Sequence, residues 1–170
     1  MHLSAIIIIS LFILFAHTPD AVADNAIAIE QYFEEGCSHW GAPKSLAMAI
    51  AQTESDMSPW AVNIRGKGFY PKTKDEALLL VKKAIREKKS YDIGLMQVNS
   101  YWLNRFKLSA EDIIDPHLNV ILGCWILSQE INRFGLNWRA IGSYHTPIDR
   151  APDRARAYAN KVMRAWEEFK

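Results

Sequence analysis

Cysteine is scarce in this chain, and net charge is nearly absent. Two cysteines in 170 residues cannot staple a disulfide-dense miniprotein, and no Cys-x-x-Cys pair marks a zinc ribbon or a redox site. A formal net charge of +1 lacks the basic excess of a general nucleic-acid coat, so no nucleic-acid partner is expected. Neither HExxH nor an Asp-rich loop occurs, and His39, His117 and His145 do not fall at metal-ligand spacing. A GxSxG elbow is missing too, which removes the commonest serine-hydrolase signature. No metal and no cofactor are therefore expected. Internal repeats and long structureless linkers are also lacking. What is present, 49% hydrophobic and 23% charged residues, is the composition of one ordinary globular domain.

The apolar residues are unevenly spread. Leu3–Ala16 reads LSAIIIISLFILFA without a charge, shorter than the roughly 17 residues a spanning helix needs. Pro19 and then Ala21-Val22-Ala23, an A-x-A pattern, follow it. That order describes a secretory signal peptide over residues 1–23, although its start carries no Lys or Arg. An uncleaved anchor is the alternative. Cleavage after Ala23 would leave a single domain over residues 24–170, periplasmic or secreted and free of the membrane. Export bears on Cys37 and Cys124, which in an oxidising compartment can form a disulfide. Two separate buried thiols are the other reading.

Helical signals dominate the rest. Asn25 is placed to cap a helix through Ile27, Ile29, Tyr32 and Phe33 that ends near Gly36. Pro43 fits the first turn of PKSLAMAIAQTES, which Pro59 should end. Between Arg65 and Lys89, nine basic residues (Arg65, Lys67, Lys72, Lys74, Lys82, Lys83, Arg86, Lys88, Lys89) stand against Asp75, Glu76 and Glu87. Thr73-x-x-Glu76 is a capping box ahead of a basic amphipathic helix within that segment. Such a face is solvated or meets an anionic polymer or a partner. YDIGLMQVNS suits an extended turn. Ser109, Asp115-Pro116 and Asn137 open further helices, the second stopped by Gly135, and a last helix runs from about Asp153 to Phe169 with Tyr158 in its apolar stripe.

Two places carry chemistry. Glu54 ends an apolar helix, where it is either a solvated carboxylate of the ordinary kind or a carboxyl held neutral among apolar groups, able to act as an acid near neutral pH. Gln97 and Asn99, on alternate residues of an extended segment, point to one face, and amides both donate to and accept from sugar hydroxyls and acetamido groups. A turn-stabilising role is the competing reading for both.

Four blocks, A-I-A-x-x-E-S (Ala49–Ser55), GLMQVN (Gly94–Asn99), D-P-x-x-N-V-x-x-G (Asp115–Gly123) and A-x-G-x-Y (Ala140–Tyr144), resemble in order those of the SLT-type lytic transglycosylases, lysozyme-like enzymes that cut peptidoglycan strands. The resemblance implies a mainly α, lysozyme-like single domain with a short extended segment at GLMQVN. It implies Glu54 as acid/base, Met96 and Gln97 as a sugar-contacting strand, and Tyr144 as the tyrosine that orients the Glu. For Met96 and Tyr144, core packing is the competing reading. Here Tyr144-His145-Thr146-Pro147 replaces the usual Tyr-Asn-Ala-Gly, and the basic segment at about 65–89 lengthens the spacing. Both features resemble the smaller branch that serves secretion, conjugation or pilus machinery.

SYDIGLMQVNSYW also resembles a stretch of animal-type lysozymes whose Asp is the second catalytic carboxylate. Asp92 stands at that place. It is either a second acid for hydrolysis or an acceptor for the turn entering Gly94. The implied reaction is lytic cleavage of peptidoglycan; the alternatives are a hydrolytic muramidase using Glu54 and Asp92, and a non-catalytic wall-binding subunit.

Overall fold

A computed structural model describes the backbone of residues 19–169 and the side chains of residues 27–169. The apolar run of the expected signal peptide lies outside these residues, whereas Ala21–Ala23 fall within the first helix. That helix, α1 (Pro19–Trp40), begins six residues before Asn25 and passes through Gly36. Gly36 does not terminate the helix because it lies against the backbone of a later helix at Ile121, where an added Cβ would come within 3.3 Å.

Helix α2 (Lys44–Ser55) follows Pro43, its N-cap residue, and stops four residues before Pro59. Asp56 and Met57 there take left-handed conformations, and their amides return to Gln52 and Ala51. Then come β1 (Val62–Ile64), β2 (Lys67–Phe69), α3 (Lys74–Arg86), β3 (Tyr91–Ile93) and β4 (Val98–Asn99), forming an antiparallel sheet in the order β2-β1-β3-β4. The capping box is half realised: Thr73 Oγ1 accepts from the Glu76 amide, but the Glu76 carboxylate accepts from Lys72 instead of Thr73. Helix α3 is no loose appendage. Ala77, Val81 and Ala84 are buried with Val62 and Ile93, while Leu79, Lys82, Lys83 and Arg86 face outward.

Helices α4 (Ser100–Phe106), α5 (Ala110–Ile113), α6 (Pro116–Phe134), α7 (Trp138–His145) and α8 (Pro152–Trp166) complete the chain, with a 3-10 turn at Glu167–Phe169. Asn99, Ser109, Asp115 and Asn137 cap the first four with side-chain oxygens. The architecture is therefore the mainly α single domain expected, with a short sheet around GLMQVN. Among the described residues no helix is long and apolar enough to cross a membrane.

Two apolar cores share α6. Val120, Cys124 and Leu127 face a core made with α1, α2 and α8, while Ile126 faces a second core under the sheet. A helix apolar on more than one side is what a central position demands. The Cys37 and Cys124 sulfurs, both buried, lie 2.9 Å apart where α1 crosses α6. The Cys37 contact and burial hold the Cys124 thiol strongly protonated.

Candidate active site

Within GLMQVN, residues 94–97 form a tight turn between β3 and β4, and only Val98 and Asn99 are extended. Gly94 has φ +80°, and an added Cβ would strike the Asn119 side chain at 2.3 Å, so only glycine fits. Asn119, fully buried on α6, accepts from the Met96 amide and donates to the carbonyls of Ile93 and Ile113. One side chain thus pins the turn to the central helix. From the other side, the Ser55 hydroxyl lies 2.8 Å from the Leu95 carbonyl and ties the end of α2 to the same turn.

Glu54 is the residue before Ser55, and it opens into a cleft of about 790 Å³. Asn63, Asp92, Gln97, Asn99, Tyr101, Trp102, Ile126, Glu130, Ser143, Tyr144 and His145 are among the other lining residues. Burial pushes the Glu54 pKa up to about 7, with the neighbouring Asp92 charge adding to the rise. Against that, the Tyr158 hydroxyl donates to Glu54 Oε1 at 2.8 Å and favours the ionised form. The Tyr158 ring is itself stacked on His145, centroids 4.7 Å apart.

Sheet register brings three polar residues into one row. Asp92 on β3 pairs directly with Asn63 on β1 and Asn99 on β4, and residues opposite one another share a face. Asn99 Nδ2 donates to Asp92 Oδ1 at 2.6 Å while its Oδ1 caps α4 at Tyr101. Burial still raises the Asp92 pKa, and the Asn99 bond offsets part of that rise.

The residues expected from sequence are not all placed alike. Glu54, Asp92, Gln97, Asn99 and Tyr144 share the cleft. Gln97 and Asn99 also fill the competing role as turn builders, since Gln97 Nε2 donates to the carbonyls of Ala61 and Gly94. Met96 is placed in the core instead. Its side chain is fully buried and packs over Gly123, because a tight turn sends Met96 inward as it turns Gln97 outward. Tyr144 donates to the Met96 carbonyl at 2.8 Å, and the hydroxyl on Glu54 belongs to Tyr158. Tyr158 had read as one more apolar-stripe residue; helical spacing signals its burial but not the partner of its hydroxyl. No group of His, Cys, Asp and Glu that could hold a metal ion occurs among the described residues.

Fold and cleft together place the molecule in the lysozyme-like class. Within it, the chain belongs to the transglycosylase SLT domain family, whose match covers residues 31–163. It is similar to the invasion protein IagB of Salmonella typhi, 32% identical over 130 residues, a match covering 74% of this chain and 66% of that protein. Protein IpgF of Shigella sonnei is 25% identical over 139 residues, 79% of this chain and 78% of the relative. The type IV secretion system protein virB1 of Brucella abortus is 30% identical over 93 residues, 54% of this chain and 39% of the relative. The chain thus spans just under two thirds of IagB. No solved structure matches it.

Proposed function

We propose that this protein is a peptidoglycan lytic transglycosylase with Glu54 as its acid and then its base. The observation that carries the reading is a carboxyl with a pKa of about 7 on the floor of a sugar-sized cleft in a transglycosylase SLT domain. Protonated Glu54 donates to the glycosidic oxygen between MurNAc and GlcNAc. The oxocarbenium charge that develops is relieved by the substrate's own acetamido group. Glu54, now a carboxylate, takes the proton from the C6 hydroxyl, and that oxygen closes a 1,6-anhydro ring. One group serving as acid and then as base meets the requirement that its pKa lie near the working pH. Gln97 and Asn99 edge the cleft with amides, and the Tyr101 and Trp102 rings give a sugar an apolar face to lie on.

Hydrolysis is the second reading, and Asp92 is the observation that favours it, since a second carboxyl lines the same cleft and its charge reaches Glu54. Mass spectrometry of a peptidoglycan digest separates the two. Anhydro-muropeptides are expected, and reducing ends alone would assign a muramidase. Glu54→Gln is expected to lower cleavage by about 100-fold or more. Full activity in that variant would remove Glu54 from the reaction, and an inactive wild-type protein that still binds walls would be an assembly subunit.

The reading extends to place and partners. The domain acts outside the cytoplasm after loss of residues 1–23, opening the wall locally for an export apparatus. Similarity to an invasion protein and to a type IV secretion system protein supports that assignment.

A further inference from the structure

We infer that Glu130 and Ser143 form a subsite for the acetamido group of an N-acetylated sugar in the cleft. This inference rests on the glycan-cleaving reading above and adds residues that neither the motifs nor the mechanism use. Glu130 Oε2 and Ser143 Oγ are shielded from solvent, and neither has a hydrogen-bond partner. Both residues line the same cleft as Glu54. A shielded polar atom without a partner is a standing penalty on the fold, so a partner from outside is the economical explanation.

A purely structural role fits neither residue. Three helical hydroxyls bond back to their own helix, Thr53 to Ala49, Ser55 to Ala51 and Ser128 to Trp125, and two more accept from elsewhere, Ser45 from Trp166 and Ser100 from Tyr91. Ser143, buried on α7, makes no such bond. Glu130 has a cation nearby in Arg133, but that guanidinium reaches Asp149 at 3.3 Å and covers the Phe134 ring at 4.6 Å. Arg133 only offsets part of the rise that burial imposes on the Glu130 carboxyl.

The two groups complement one ligand. A carboxyl oxygen accepts an N–H, and a serine hydroxyl donates to a carbonyl. An acetamido group presents both within one small plane. Ile126, one helical turn before Glu130 on the same face of α6, also lines the cleft and gives the methyl group an apolar neighbour.

Trp102 lines the cleft, so tryptophan fluorescence can follow binding of a chitin oligosaccharide to the full chain. A cello-oligosaccharide, with hydroxyls in place of acetamido groups, is the comparison probe. The wild-type protein is expected to prefer the chitin probe. Glu130→Leu and Ser143→Ala should each weaken it roughly tenfold and narrow the preference, while thermal stability holds or rises because an unpartnered polar atom has gone. Wild-type preference in both variants would overturn the subsite and leave the proposed reaction standing. So would affinity lost only in step with stability. Preference lost in the variants of a wild-type protein that does not cleave peptidoglycan would uphold the subsite and overturn the reaction.

Discussion

At Glu54 a hydroxyl and a charge pull in opposite directions. Tyr158 favours the carboxylate, Asp92 and burial favour the acid, and burial is the largest of the three. In the proposed reaction Glu54 carries the proton when the glycosidic oxygen leaves, so cleavage is expected to fall as pH rises through about 7. Tyr158→Phe deletes the interaction that lowers the pKa, so this alkaline limb should move to higher pH in a pH–rate profile. A limb shifted downward would contradict the assigned partner. Stability follows the same carboxyl. Its folded pKa, about 7, lies above the 4.5 of an unperturbed glutamate, so the folded state binds the proton more tightly. The cost of ionising it is absent below about pH 4.5 and grows to about 3 kcal/mol above pH 7. Glu54→Gln should therefore be more stable than wild type at pH 8 and no different at pH 4, measured by urea unfolding at both.

Among the elements, the helix beginnings were the most legible part of the sequence. Asp115, Asn137 and Ser109 cap helices where their spacing placed them, because a cap is a local event between residues two or three apart. The β1–β2 hairpin and α4 were not read. Strands of three residues carry no usable alternation, and α4 is capped by Asn99, whose two readings from sequence, a sugar contact or a turn, did not include a cap. The apolar neighbours of Glu54 only suggested its desolvation, and its role as acid/base came with the resemblance of the four blocks. Tyr158 was not legible, because it reaches Glu54 from 104 residues away. Asn119 falls in one of the four blocks, yet its spacing does not reveal the distant backbone groups that it holds. Asn119→Ala would orphan the Met96 amide and two carbonyls. A loss of about 3 kcal/mol or more is expected, read as a lower denaturant midpoint. A change below about 0.5 kcal/mol would mean that the turn holds itself.

For the molecule as a whole, the contact of Cys37 with Cys124 joins α1 to α6 across 87 positions of sequence. Produced in an oxidising compartment, the protein is expected to carry one disulfide there. Closing so long a loop stabilises by about 4.6 kcal/mol in the chain-entropy account. Thiol titration of the unfolded protein without reductant should find no free cysteine, and reductant should lower the melting temperature. Two titratable thiols would place the pair among buried free cysteines.

The GLMQ turn has a consequence for motion. Ile93 and Val98 belong to the core under the sheet, whereas Leu95 and Met96, between them in sequence, belong to the helical core. Within six residues the chain stitches one half of the molecule to the other and back. Opening the cleft like a clamshell would pull that stitch from both halves at once. The width of the cleft is therefore tied to both cores, and amide hydrogen exchange in the stitch is expected to be as slow as unfolding of the entire domain.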